Sequence, residues 1–224
     1  MGPLFISFEG GEGTGKTTQA DVLYKQLRRL GIRAVFVHEP GSTRLGGHLR
    51  NYLLSKQPLS KEAELLLFEA ARAELVVKEI KPRLDRGFTV VADRFEASSI
   101  AYQGYGKKID LKVIHYLNSF ATKGLTPDIT LLLDLDPAEG LRRVGKQQIG
   151  LRSGPDDLLE VGRLDKEGQR RFEDLPLTFH ERVRKGYLDL ALENAARWVI
   201  IDATLPAEEV SRLVWDQVAK RLKL

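Results

Sequence analysis

Leu4-Phe5-Ile6-Ser7-Phe8-Glu9-Gly10-Gly11-Glu12-Gly13-Thr14-Gly15-Lys16-Thr17 decides the fold. Its first half is a short apolar run that reads as a buried parallel strand, and Gly10 to Thr17 fits the pattern G-x-x-x-x-G-K-[ST]. From Thr17 onward Ala20, Leu23, Leu27 and Leu30 recur at helical spacing, with Gly31 as the stop signal. Four glycines in six residues also make a flexible turn. A strand before them and an amphipathic helix after them give the order a phosphate-binding loop requires. In such a loop the backbone N–H groups of Gly10, Gly11, Glu12, Gly13, Thr14 and Gly15 curl around a polyphosphate. Lys16 reaches the β- and γ-phosphates, the Thr17 hydroxyl is placed for Mg²⁺, and Thr18 follows at the helix start. The chain is therefore expected to bind a nucleoside triphosphate.

Working outward, four more short apolar runs look like central parallel strands: Arg33-Ala-Val-Phe-Val37, Phe88-Thr-Val-Val-Ala92, Ile129-Thr-Leu-Leu-Leu-Asp-Leu135 and Trp198-Val-Ile-Ile201. Helical patterns lie between them, near residues 43–54, 60–85, 110–123, 137–146, 175–195 and 206–222, and Pro82 is expected to kink or end the longest. Regular alternation implies an α/β fold, P-loop NTP hydrolase-like, with a five-stranded parallel sheet flanked by helices. We read residues 1–224 as a single P-loop domain that includes a basic lid segment at about 142–173, with no internal repeat or linker.

Composition excludes several classes. No cysteine is present, which removes disulfide frameworks and thiolate metal sites, and the four histidines have no zinc-ligand spacing. No apolar run is long enough to span a bilayer and the first residues enter a strand directly, so a cytoplasmic location without membrane attachment is expected. Lys and Arg total 35 against 31 Asp and Glu, too slight an excess to argue for nucleic-acid binding.

Ligands of such sheets bind beyond the carboxyl ends of the strands. That edge carries Glu9, Glu39-Pro40-Gly41, Asp93-Arg94-Phe95, Asp134, Asp136 and Asp202. A carboxylate beside the loop suits Mg²⁺ or its waters, and Asp93 with Thr17 is the first choice. For Asp134, Asp136 and Asp202, turn or helix-capping roles stand as equal alternatives. Arg94, directly after Asp93, offers a planar fork to a phosphate.

The residues that follow carry a family resemblance. Asp93-Arg-Phe-Glu-Ala-Ser98-Ser99-Ile-Ala-Tyr102-Gln103 resembles the D-R-[YFH]-x-x-S-x-x-A-Y-Q signature of thymidylate kinases, and Phe8 to Gln19 resembles their phosphate loop. His38-Glu39-Pro40-Gly41-Ser42-Thr43 is similar to their R-E-P-G-G-T loop, with His38 where arginine is usual. Leu67-Phe68-Glu-Ala-Ala-Arg72 is similar to their F-x-A-x-R helix, Pro127 to Asp134 to their P-D-x-x-x-x-L-D strand, and Ile201-Asp202-Ala203 to their adenine-side turn. The resemblance spans nearly the whole chain.

It implies transfer of the γ-phosphoryl group of ATP to dTMP, giving dTDP and ADP on the way to dTTP, with Mg²⁺, in a cytoplasmic homodimer. By the same resemblance Phe68 stacks on thymine, Arg72 bonds its O4 edge, and Ser99 and Gln103 address its polar edge. Tyr102 crowds the place of a 2′-hydroxyl, Arg94 holds the acceptor phosphate, Glu12 contacts the 3′-hydroxyl, and Glu39 and Ser98 complete the acceptor site. On spacing alone Phe68 reads rather as core, since Leu65, Leu66 and Leu67 precede it, but Arg72 lies on the same helix face and a buried guanidinium needs a partner.

Some thymidylate kinases carry a catalytic arginine inside the phosphate loop; Glu12, Gly13 and Thr14 supply none. Compensating charge is expected from the basic, glycine-punctuated segment Arg142 to Arg171. There Arg171-Phe172-Glu173 resembles a lid motif, and Arg171, Arg152 and Arg163 are the candidates, with a solvated basic loop as the alternative. Arg142, Arg143 and Asp202 are assigned to the ATP side. A signalling GTPase is disfavoured, since Thr122-Lys123-Gly124-Leu125 lacks the aspartate of a guanine reader. Another nucleoside monophosphate kinase (dCMP, dAMP or GMP) and a non-catalytic ATP-binding protein remain as alternatives. Apolar helix faces near 60–80 and 110–123 suit either a subunit interface or the core.

Overall fold

A computed structural model describes residues 2–55, 58–151 and 172–224. Five parallel strands, β1 (Phe5–Glu9), β2 (Ala34–His38), β3 (Thr89–Asp93), β4 (Ile129–Asp134) and β5 (Trp198–Asp202), form one sheet in the order β2-β3-β1-β4-β5. Register aligns Phe8 with Asp93 and Glu9 with Leu132, so the chemistry-bearing residues leave the sheet along one edge. The α/β reading of the sequence holds.

Strand alternation sorts the core. Ile6, Phe8, Leu131 and Leu133 point to the face covered by α1 (Lys16–Arg29) and α9 (Ala207–Leu222), meeting Leu23, Leu27, Val214 and Val218. On the opposite side Phe5, Val37 and Val90 pack with Phe95 and with Leu75, Val76 and Ile80. Leu132 joins Leu65, Ile114, Val183 and Tyr187 from α3 (Lys61–Leu75), α6 (Leu111–Thr122) and α8 (Leu177–Glu193). Thr43 and Ser60 cap α2 (Arg44–Leu54) and α3, their side chains accepting from Gly46 N and Ala63 N.

Three local features differ from the periodicity. Pro82 does not end its helix: α3 passes through a π-helical stretch, Val76–Ile80, into α4 (Lys81–Asp85), and the proline sits in the first turn of α4. The widened turn lies where its ring would otherwise meet the carbonyl four residues earlier. Residues after β3, read only as a motif, form a short helix α5 (Glu96–Ser99) running into π-helical Ile100–Gly106. Finally, α7 (Pro137–Leu151) continues past 146. Arg152, Arg163, Arg170 and Arg171, and with them most of the proposed lid, lie outside the described residues.

Candidate active site

The loop between β1 and α1 is folded as its glycines allow. Gly10 has φ 146° and Gly13 φ 67°, conformations open to glycine, and a Cβ on Gly13 would drive into the Gly140 carbonyl at the start of α7. The loop backbone is thus pressed between β4 and α7. Lys16 Nζ turns back onto its own loop, donating to the Gly11 carbonyl and to Thr14 Oγ1. Burial, reinforced by nearby Arg94, lowers the Lys16 ammonium to about 8. A bound polyphosphate would hold it charged.

Thr17 Oγ1 donates to Asp93 Oδ2 at 2.5 Å, while the buried Asp93 Oδ1 has no donor among the described residues. An unpartnered carboxylate oxygen beside a phosphate-loop hydroxyl fits a hard cation. The other edge acids have different partners. Asp134 forms a bidentate pair with Arg184, both bonds 2.8 Å, Asp136 Oδ1 accepts from Ala138 N and Glu139 N at the start of α7, and Asp202 Oδ1 accepts from Thr204 N and Oγ1 in a turn. On the proposed ATP side, Arg142 and Arg143 both hold Glu139, and Arg143 Nη1 donates to the Ala203 carbonyl next to Asp202.

Arg94 follows β3 with φ 70°, a left-handed backbone that costs a non-glycine residue about 1 kcal/mol or more. It is anchored on all sides. Nη1 donates to the Gly10 carbonyl, Ser98 Oγ and Tyr187 Oη, and Nη2 to Glu12 Oε1 and Tyr102 Oη, all at 3.2–3.3 Å. Tyr102 Oη also donates to Glu12 Oε1. Burial pushes the Glu12 carboxyl up, but Arg94 and Lys16 outweigh it and hold the group below its usual range. Beneath them the fully buried Glu9 accepts from Phe95 N, Ser98 Oγ and Tyr187 Oη at 2.7–3.0 Å.

These groups open onto a cleft of about 800 Å³, continuous with solvent. Every acceptor-side candidate lines it: Glu12, Glu39, Phe68, Arg72, Arg94, Ser98, Ser99, Tyr102 and Gln103. Among the described residues Pro40, Arg50, Leu54, Phe172 and Glu173 also line it. Phe68, which spacing alone left open as core, faces Phe172 with ring centroids 6.3 Å apart, and Tyr102 meets the same ring edge-on at 5.5 Å. Glu173 is raised to about 7 by burial and by the nearby Glu12 charge.

Arg72 is more than a wall residue. It is 1% exposed and forms ion pairs with Glu39 (2.8 Å) and Glu69 (2.6 Å). It also donates to Ser99 Oγ, Asn118 Oδ1 and the Phe95 carbonyl. Its guanidinium therefore ties β2, α3, α5 and α6 together. Burial raises the Glu39 carboxyl to about 7 even beside Arg72. Sequence reasoning missed Glu69, Asn118, Tyr187 and Leu54. Only Glu69 left a trace, three residues from Arg72 on one helix; the others come from distant segments and carry no local signal.

With this geometry in view, comparison with known proteins is unambiguous. The thymidylate kinase family profile matches residues 8–214. The chain is 41% identical over 222 residues to the thymidylate kinase of Deinococcus radiodurans, covering 97% of each protein. It is 40% identical over 226 residues to that of Trichormus variabilis, covering 100% of this chain and 99% of the relative. The crystal structure of thymidylate kinase from Ehrlichia chaffeensis superposes with a TM-score of 0.73 at 34% identity, over 97% of this chain and 99% of the other. The chain belongs to the thymidylate kinase family.

Proposed function

We propose that this protein transfers the γ-phosphoryl group of ATP to dTMP, yielding dTDP and ADP, and that residues 1–224 act as one catalytic domain. The carrying observation is that all the acceptor-side residues line one cleft, whose Arg94 is bonded directly to the phosphate loop at Gly10.

The acceptor monophosphate has a second pKa near ~6, so its oxygen is already a nucleophile at neutral pH and no general base is required. That oxygen forms a bond to the γ-phosphorus as the bond to the β–γ bridging oxygen breaks, and the electron pair leaves with ADP. In this scheme Arg94 holds the acceptor phosphate, while Lys16 and the loop N–H groups hold the donor chain. Phe68 takes the pyrimidine face, Arg72, Ser99 and Gln103 its edge, Glu12 the 3′-hydroxyl, and Tyr102 fills the place of a 2′-hydroxyl. The pairing of Tyr102 with Glu12 supports this division, since it sets sugar-facing groups beside the phosphate clamp. Glu39 and Ser98 act through Arg72 and Arg94, which they bond. Arg142, Arg143 and Asp202 serve the ATP side.

Thr17 and Asp93 would hold Mg²⁺, directly or through its waters, and the ion would neutralise charge on the donor phosphates. With no arginine in the loop, Arg171, Arg152 or Arg163 is proposed to supply the further cation.

We also propose a cytoplasmic homodimer that binds neither membrane nor nucleic acid. Leu66 on α3 and Val113, Tyr116 and Phe120 on α6 are 47–75% exposed, and the two helices pack side by side. An apolar face of that kind suits a second copy.

³¹P NMR of the protein with ATP, Mg²⁺ and dTMP tests the reaction. Signals of dTDP and ADP growing in equal amounts are expected; ADP appearing with inorganic phosphate and no dTDP would refute it.

A further inference from the structure

The cleft's polar edge is set by a residue that does not line it. Gln103 does, and is only 2% exposed. Its Nε2 donates to Glu64 Oε1 at 3.0 Å, and among the described residues its Oε1 has no protein donor. Glu64, on α3 and 0% exposed, also accepts from Lys107 Nζ at 2.6 Å through Oε2. Lys107 lies just past the π-helical turn that carries Gln103, over the ring of Phe172 at 5.6 Å.

A side-chain amide has a donor end and an acceptor end, and rotation by half a turn exchanges them. A carboxylate held by an ammonium only accepts. Facing Glu64, the amide of Gln103 has one satisfactory orientation: nitrogen inward, carbonyl oxygen toward the cleft. Reversal would set two oxygens against each other in a buried site.

We propose that Glu64, held by Lys107, is a specificity-determining positioning residue that fixes Gln103 as an acceptor toward the pyrimidine edge. The inference rests on the proposed acceptor being dTMP. A thymine or uracil ring carries N–H at position 3, which matches a fixed carbonyl. Cytosine carries a lone pair there and meets it oxygen to nitrogen. The discriminating element therefore lies one residue behind the binding surface.

The test compares kcat/KM for dTMP and dCMP in wild type, Glu64→Gln and the isosteric exchange Glu64→Gln with Gln103→Glu. A glutamine at 64 can donate or accept, so the amide at 103 is released. The dTMP-to-dCMP ratio is expected to fall at least about tenfold, the worth of one specific hydrogen bond, mainly through opposite changes in KM. In the exchange variant the carboxylate at 103 accepts both from residue 64 and from the base, and the ratio is expected to return. A structural effect alone would lower both activities together and would not be rescued. Lys107→Met, at a position with 19% side-chain exposure, provides a second route should Glu64→Gln fold poorly: it removes a counter-ion of Glu64 and should lower the same ratio. An unchanged ratio in folded Glu64→Gln or in Lys107→Met, or an exchange variant no better than the single change, overturns the inference. Wild type that favours dTMP while these ratios stay fixed leaves the proposed reaction standing. Wild type that does not phosphorylate dTMP overturns the acceptor assignment and this inference with it.

Discussion

Replacing Arg72 by Met would keep much of its apolar volume and remove the one positive charge between Glu39 and Glu69. Both carboxylates are under 10% exposed, and Arg72 meets them at 2.8 and 2.6 Å. Removing one partner from a buried ion pair costs about 3–5 kcal/mol, because the remaining charge stays desolvated. Against a total stability of about 5–15 kcal/mol this is a large fraction, and for a chain of this size it corresponds to a fall in Tm of about 6–20 °C. Urea unfolding followed by circular dichroism measures it. The loss should shrink as pH falls toward 5, since Glu39, raised to about 7 by burial even beside Arg72, then binds a proton. Adding Glu39→Gln and Glu69→Gln to Arg72→Met should recover most of it, because the buried charges leave together. A loss below about 1 kcal/mol, or one independent of pH and not relieved by the glutamines, would refute the view of Arg72 as the charge-balanced joint of the cleft.

Other expectations follow from single groups. Glu96 is raised to about 7 from 4.5, chiefly by burial, so its folded form keeps a proton that the unfolded chain loses between these values. The stabilising contribution is full below pH 4.5 and is lost as pH rises through about 7. Glu96→Gln should therefore match wild type near pH 4.5 and exceed it by about 3 kcal/mol at pH 8; equal unfolding curves at pH 8 would disprove this. Lys16→Ala should abolish phosphoryl transfer with little loss of folding stability, and turnover within about tenfold of wild type would remove the loop from catalysis. Tyr102→Ala should narrow the preference for dUMP over UMP, and an unchanged ratio would take Tyr102 out of sugar selection. Among Arg152→Ala, Arg163→Ala and Arg171→Ala, at least one should lower kcat about a hundredfold or more while dTMP binding, measured by calorimetry, stays near wild type. Full kcat in all three would leave charge compensation to Arg94, Arg44 or Arg50.

The sheet was legible because β1, β3 and β4 are buried on both faces and so appear as unbroken apolar runs; β2 and β5, read as central strands for the same apolar character, are the partly exposed edges of the sheet. The phosphate loop was legible because its chemistry is contiguous. The acceptor residues were legible through a resemblance; spacing alone favoured Phe68 as core. What stayed hidden is non-local or aperiodic. Glu39 and Asn118 reach Arg72 across 33 and 46 residues, and Glu64 reaches Gln103 across 39. No hydrophobic period encodes such pairs. Ile100–Gly106 winds as a π-helix, with a period that neither the 3.6-residue nor the two-residue template matches. The helical pattern read near 137–146 was too short, since α7 continues to Leu151.

The most direct measurement is a coupled ADP-release assay with saturating ATP and Mg²⁺ across dTMP, dUMP, dCMP, dAMP, GMP and UMP. Expected is the highest kcat/KM with dTMP, above dCMP and both purine nucleotides by at least about a hundredfold, as a cleft with an edge built to hydrogen-bond one base requires. Equal use of the acceptors, a preference for a purine nucleotide, or ADP release that no monophosphate accelerates would contradict it.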